Sequence, residues 1–245
     1  MMYNMDNLRA ISALHKLEKN TNYNDIDKSV GFYNININKI YIINHGSHYV
    51  QENLLMYYLR MNKLTHYFNN QTLVNYLIDY GDITYVNDYK RNIMYYLIHY
   101  DNNNGNNNMI ILNLIEKCHK RNPKLIHQID YKGNTLLHKI ICKIINIMCK
   151  NQNQSYLVKN SIYYQYFIYI LKHIRLSYLF HKNKRGKTIQ DVFAHYKSKQ
   201  YKKRQIIDLV KGELKQVIDY HIKQYYYSLN IFCNGYLPYE IIEYM

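Results

Sequence analysis

Asp130-Tyr-Lys-Gly-Asn-Thr-Leu-Leu-His138 carries the turn chemistry from which the rest of the chain can be read. Gly133 supplies the positive φ of a tight turn, which a side chain would oppose. Thr135, two residues on, offers a hydroxyl to the free N–H groups of a following helix. Similar runs lie on either side. Asp88-Tyr-Lys-Arg-Asn92 precedes Ile93-Met-Tyr-Tyr-Leu97, and Asn183-Lys-Arg-Gly-Lys187 precedes Thr188-Ile-Gln-Asp-Val192. Counted from their first residues, the intervals are 42 and 53 residues. A recurring supersecondary unit is the mark of stacked repeats, in which each unit covers its neighbour. The surplus length sits in two polar tracts, Asp101 to Asn108 and Lys150 to Ser155, which read as surface insertions.

The segments between the turns read as helices. Leu54, Leu55, Tyr58 and Leu59 mark one, in a helical pattern that begins at Gln51; Leu73, Val74, Leu77 and Ile78 mark the next. Asn69 and Asn70 punctuate the connection. Toward the N-terminus, Leu8, Ile11, Leu14 and Leu17 predict a short amphipathic helix, whereas Gly31 to Ile43 alternates like a strand or, given its asparagines, an extended loop. Toward the C-terminus a basic run, His195 to Arg204, leads into Ile207, Val210, Leu214, Val217 and Ile222 on one helical face. Gly212 inside that segment costs about 1 kcal/mol relative to Ala, so the helix is expected to bend or start there. With 2 Pro and 8 Gly, the chain has little turn chemistry for an all-β design, so the expected class is all-α.

Composition narrows the function less. The net charge of +15 permits attraction to nucleic acid, anionic membrane or acidic protein without choosing among them. The mean hydropathy is −0.47 although 48% of residues count as hydrophobic, because 31 Tyr enter the apolar tally. Cys118, Cys142, Cys149 and Cys233 form no dense framework, and no secretory apolar region follows Met1. Reduced thiols in a cytosolic or nuclear compartment are expected. The most apolar stretch, Ser161 to Phe180, holds Lys172, His173 and Arg175, whereas a membrane span needs about 20 residues almost free of charge.

DYKGNTLLH is close to the ankyrin-repeat pattern D-x-x-G-x-T-P-L-H, with Asp130, Gly133, Thr135, Leu137 and His138 in place and Leu136 where Pro is usual. In that family the His bonds within the turn and the Leu anchors the core between paired helices. Leu73 to Asn87 is similar to the second ankyrin helix and its exit loop, with Gly81 as the helix stop. Gly186-Lys-Thr188-Ile-Gln-Asp-Val-Phe-Ala194 is similar to a late-repeat variant, G-x-T-x-x-D-x-A. The turn headed by Asp88 fits least, having Arg91 and Ile93 where Gly and Thr belong. Both intervals exceed the ankyrin period of about 33 residues.

The last nine residues, Leu237-Pro-Tyr-Glu-Ile-Ile-Glu-Tyr-Met245, resemble the opening of an F-box. Pro238 suits a helix start, where its missing N–H costs nothing, and Glu240 favours the positive end of the dipole. With Leu237 and Ile241 these would form the partner-binding residues. Together, residues 51–245 resemble the poxvirus ankyrin proteins with a C-terminal F-box-like (PRANC) segment. That resemblance implies an all-α solenoid of degenerate, extended ankyrin-type helix-turn-helix repeats over 51–196. An N-terminal segment, 1–50, precedes it as an uncertain or degenerate repeat, and a helical segment, 197–245, ends it. It implies a non-enzymatic interaction module without cofactor, working in the cytoplasm or nucleus of a host cell. Such a module captures a host protein and links it to the Skp adaptor of a cullin–RING ubiquitin ligase. The match stops at Met245, short of the further helices that adaptor binding needs, so a shortened relative that keeps only target binding is a second expectation.

Other readings compete at named residues. His138 is open to reading as a metal ligand or catalytic base, against a turn histidine. Cys142 and Cys149 share a helical face and, with Cys118, His119 and His127, suggest zinc, but no C-x-x-C pair exists and buried core thiols fit better. His45 and His48 lack a third ligand and read as loop. No H-E-x-x-H, G-x-S-x-G, Walker loop or G-x-G-x-x-G is present. The alternative function is basic nucleic-acid binding. It rests on Lys197 to Arg204 and on Tyr163, Tyr164, Tyr166, Tyr169 and Tyr225 to Tyr227 as stacking platforms, against tyrosines that fill the core.

Overall fold

The computed structural model describes residues 2–44, 49–65, 70–99, 108–150, 161–192, 211–220 and 223–224. The chain is mostly helical, with one two-stranded sheet among the described residues. Helix α1 spans Met2–Leu17 and α2 Tyr23–Phe32. The spacing of Leu8, Ile11, Leu14 and Leu17 predicts α1 but not its buried face. At about 100° per residue, Leu8 and Leu17 lie half a turn apart. The buried stripe is Ala10, Ala13, Leu14 and Leu17, and Leu8 is 63% exposed. Asn22 starts α2 by accepting the Asp25 N–H at 2.9 Å, although Ile26 is the one described residue of that helix that is buried.

Gly31 and Phe32 therefore close a helix, and of the strand or extended loop expected over Gly31 to Ile43, residues 33–39 are turns and loop and the strand begins at Ile40. Strand β1, Ile40–Asn44, pairs antiparallel with β2, Tyr49–Asn53, with Ile40 opposite Asn53 and Asn44 opposite Tyr49. Gln51 thus lies in a strand, and the helix expected from it starts at Leu54. Asn53 makes the switch: its Oδ1 accepts from Met56 N at 2.9 Å and frees the chain to turn helical.

Helix α3, Leu54–Thr65, is buried on every side over Leu54 to Leu59. It touches α1, β2, α4 (Gln71–Tyr80) and α5 (Ile93–His99). The Glu52 carboxylate is buried beside it, held by Arg60 Nε at 2.9 Å and by the Tyr96 hydroxyl, which donates at 2.7 Å. Such a charge is tolerable only while paired. Then follow α6 (Asn108–Arg121), a 3₁₀ turn (Pro123–His127), α7 (Leu136–Lys150), α8 (Ile162–His173) and one helical turn, α9 (Leu176–Leu179). Residues 189–192 and 211–220 are also helical.

The helices contact one another in two orders. α1, α3, α5 and α7 touch in succession, as do α2, α4, α6 and α8. The first succession is apolar. Leu136, Leu137, Ile140, Ile141, Ile144 and Ile145 present one face of α7 to a core that runs continuously from Ala10 to Leu214. The second is stitched by polar bonds. Tyr23 and Tyr76 hydroxyls donate to Asp79 (2.8 Å) and Asp27 (2.5 Å), Lys117 pairs with Asp79 at 2.7 Å, and His119 meets the Tyr169 hydroxyl at 2.8 Å. Asn70 both caps α4, through Leu73 N at 2.8 Å, and donates to the Glu18 and Asn20 carbonyls that follow α1. Among the described residues no helix is long and apolar enough to cross a membrane.

Candidate functional site

Each turn is built around one side-chain oxygen. Asp130 Oδ1 accepts from the N–H groups of Lys132 (2.9 Å) and Asn134 (2.8 Å). The backbone closes around it, Asp130 N donating to Asn134 O at 2.9 Å and Gly133 N to Asp130 O at 2.8 Å. Asn183 repeats the arrangement: its Oδ1 accepts from Arg185 N (2.9 Å) and Lys187 N (3.1 Å), and Gly186 N donates to Asn183 O at 2.8 Å. The preceding turn is headed by Asn87 rather than Asp88. Asn87 Oδ1 accepts from Tyr89 N (3.0 Å) and Arg91 N (2.9 Å), and Lys90 N donates to Asn87 O at 2.7 Å.

The register read from the sequence is therefore corrected by one residue, and the first interval becomes 43 residues. Lys90, at φ 54°, stands where Gly133 (φ 77°) and Gly186 (φ 68°) stand in the other turns. Asn92, not Ile93, stands with Thr135 and Thr188. Asp88 is the decoy, since Asn and Asp offer the turn the same oxygen. Its own carboxylate accepts from Gln51 N at 3.0 Å and fastens β2 beside the turn. The shared Asn at 87 and 183, three residues before the positive φ, was the available signal.

The helix starts correspond as well. Asn92 Oδ1 accepts from Met94 N at 3.0 Å, Thr135 Oγ1 from His138 N at 3.4 Å, and Thr188 Oγ1 from Asp191 N at 3.2 Å. His138 Nδ1 in turn lies 3.3 Å from Thr135 N and 2.8 Å from its hydroxyl. Asp191 serves Thr188 in the same way, at 2.8 and 2.9 Å. With Nδ1 accepting, the ring hydrogen is assigned to Nε2, which donates to Lys187 O at 3.0 Å. His138 is thus a neutral imidazole with both nitrogens used. Burial holds its pKa below the ordinary value, against the opposing pull of the Lys187 carbonyl.

Three bonds join each turn to the next, and each recurs with donor and acceptor advanced by one turn. Tyr131 N donates to Tyr89 O at 2.9 Å, and Lys184 N to Lys132 O at 3.0 Å. Gln128 Nε2 donates to Lys90 O at 3.3 Å, and His181 Nε2 meets Gly133 O at 3.1 Å. The Tyr95 hydroxyl donates to Asn134 O at 2.6 Å, as His138 does to Lys187 O. Tyr95, Gln128 and His181 are not legible as matching residues because one role is filled by different side chains.

Gly81 ends α4 at an ordinary φ of −82°, its N–H bonded to Leu77 O at 3.0 Å. Close approach makes it glycine: a Cβ would stand 2.4 Å from that same oxygen. Arg121 donates to the Gly81 carbonyl at 2.9 Å and to Ile78 O. Leu137 is fully buried. Leu237, Pro238, Glu240 and Ile241 lie outside the described residues, as do His45, His48, Cys233, the run 197–204 and Tyr225 to Tyr227. Burial pushes the Cys118 thiol up to about 12, and Cys142 upward as well; both are free thiols. The side chain of Cys149 lies outside the described set. Tyr163, Tyr164 and Tyr166 are buried, so these three offer no stacking platform, whereas Tyr169 is half-buried with its hydroxyl bonded to His119. Among the described residues no group of three or more His, Cys, Asp or Glu is arranged to hold a metal. Comparison with protein-family models, with curated proteins and with solved structures found no match.

The three positive-φ positions give a graded prediction. Gly186→Ala meets open space and should cost about 1 kcal/mol from φ alone. Gly133→Ala also drives a Cβ to 2.8 Å from Lys184 N and should cost about 3 kcal/mol. Lys90→Gly should stabilise by about 1 kcal/mol. Urea midpoints check the order, and equal losses at both glycines would contradict the packing of one turn on the next.

Acidification should loosen the same region. Burial lowers the pKa of His119, helped by the positive field of His173 and His127, and burial lowers that of His127 and His138. The folded state therefore binds fewer protons, so stability is full above about pH 6.5 and falls as pH drops from there toward the folded values. The urea midpoint should be lower at about pH 5.5 than at about pH 7.5, and His119→Gln should reduce that difference. An unchanged or higher midpoint in acid would show that these rings are not held neutral.

Proposed function

We propose that the chain is a stacked-repeat protein-interaction module of ankyrin type, with extended and degenerate repeats. The observation that carries this reading is the recurrence of the three inter-turn bonds, each advanced by one turn. Two contact successions of helices support it, because a helix pair that cannot bury its own apolar face is stabilised by the next. The sequence patterns at Asp130 to His138 and Gly186 to Ala194 support it independently. On this reading the turns and the helix ends beside them hold a protein partner in the cytoplasm or nucleus of a host cell. Chemistry on a bound substrate is not required. Leu237 to Met245 supplies, by its likeness to an F-box opening, a link from the captured protein to the Skp adaptor of a cullin–RING ubiquitin ligase.

Capture from mammalian cell lysate at moderate salt tests both parts, comparing the full chain with one ending at Tyr236. The reading expects one target to be held in stoichiometric amount by both chains, and the Skp adaptor and a cullin by the full chain alone. A target kept by both without the adaptor removes the ligase link and leaves the module. Failure of either chain to hold a protein partner contradicts the module itself.

A further inference from the structure

The tips of the three turns form a basic strip whose own acids are already engaged in hydrogen bonds. Lys90, Lys132, Lys182, Lys184, Arg185 and Lys187 are exposed there. Asp130 is 2% exposed and spends its carboxylate on its own turn and on Lys139 at 3.1 Å. Asp88, though exposed, is bonded to Gln51 N, and Asp191 is bonded to Thr188 and lies in the field of Lys187 and Lys182. Among the described residues none of the six tip cations enters an ion pair. The backbone that carries them is fixed, because each tip is bonded to the next through Tyr131 N and Lys184 N. Unpaired cations held on a rigid row are presented to a partner at little further ordering cost.

The rings along the strip decide between partners. Tyr89 and Tyr131 lie 5.2 Å apart at 48°, the Arg91 guanidinium sits 5.3 Å over the Tyr89 ring, and Lys132 Nζ sits 5.4 Å over Tyr131. Rings already engaged by each other and by cations offer less face to nucleobases, whose stacking is what single-stranded nucleic acid needs. A row of point charges over three successive turns suits instead an extended chain with carboxylates at intervals. Resting on the stacked-repeat reading above, we infer that the turn tips bind an acidic, extended segment of a protein partner.

The test uses the full chain and a fluorescent peptide of alternating Glu and Ser, about 12 residues long, which reaches about 40 Å when extended. An oligothymidylate of equal charge serves as the nucleic-acid probe. The tip variant carries Lys132→Glu, Lys184→Glu and Arg185→Glu. Its control carries Lys28→Glu, Lys120→Glu and Lys215→Glu, all exposed and of the same total charge change. The expected result is that the tip variant binds the peptide at least about tenfold more weakly and the control within about twofold, a separation that bulk attraction does not produce. Both variants should melt with the native chain, because the tip bonds use main-chain atoms. Equal weakening by the control assigns the attraction to the overall charge and overturns the inference, as does a native chain that does not bind the peptide. Tighter binding of oligothymidylate, with a steep fall between about 50 and about 200 mM salt, overturns it in favour of nucleic acid. If the tip variant still captures the native chain's partner from lysate, the module stands and the acidic-segment site fails.

Discussion

An amide at the tip of one turn, donating to a carbonyl at the tip of the turn before it, is the contact on which the rest of the structure depends. Tyr131 N to Tyr89 O and Lys184 N to Lys132 O set the spacing of successive turns. Once that spacing is set, Gln128 and His181 reach back, and Tyr95 and His138 reach forward, to carbonyls that no helix could satisfy. The helices depend on the same arrangement. α5 has 7 residues, too few to hold a helix in water by itself. It persists because Asn92 starts it and α3, α6 and α7 surround it.

The two successions of helices divide the work differently. The α1–α3–α5–α7 succession is held by apolar burial, which is strong but tolerant of sliding. The α2–α4–α6–α8 succession is held by directional bonds: Tyr76 to Asp27, Lys117 to Asp79, and His119 to Tyr169. Most of these groups are half-exposed, so their contribution lies more in fixing orientation than in stability. The turn tips need that fixing, since a tilt between neighbouring units would open Tyr131 N from Tyr89 O.

Legibility in the sequence followed how many roles a residue type fills. Asp130 to His138 was legible because Gly133, Thr135 and His138 each carry a side chain, or lack one, that few alternatives replace. The preceding turn was legible only as a turn. There Lys90, Asn92 and Tyr95 fill the three roles with other chemistry, and Asp88 offers the oxygen of Asn87 one residue late. Strand β1 lies within the stretch read as strand or loop, but its partner escaped because β2 carries the buried Glu52, which counts as polar in any alternation yet is paired with Arg60 inside the core. α2 escaped because a single buried residue, Ile26, leaves no stripe to detect. Inter-turn bonds such as Tyr95 to Asn134 left no trace in the sequence, because their acceptors are main-chain carbonyls, identical at every residue.

Hydrogen exchange at two amides tests the central claim most directly. Tyr131 and Lys184 sit on turn tips, where an unpartnered N–H would exchange at the rate of an open chain. The coupled-turn account predicts that both exchange as slowly as amides within α7, and that Gly133→Ala speeds Lys184 more than Tyr131. Fast exchange at both, with α7 itself protected, would mean that the helices pack without the turns being joined, and the account would be wrong at its foundation.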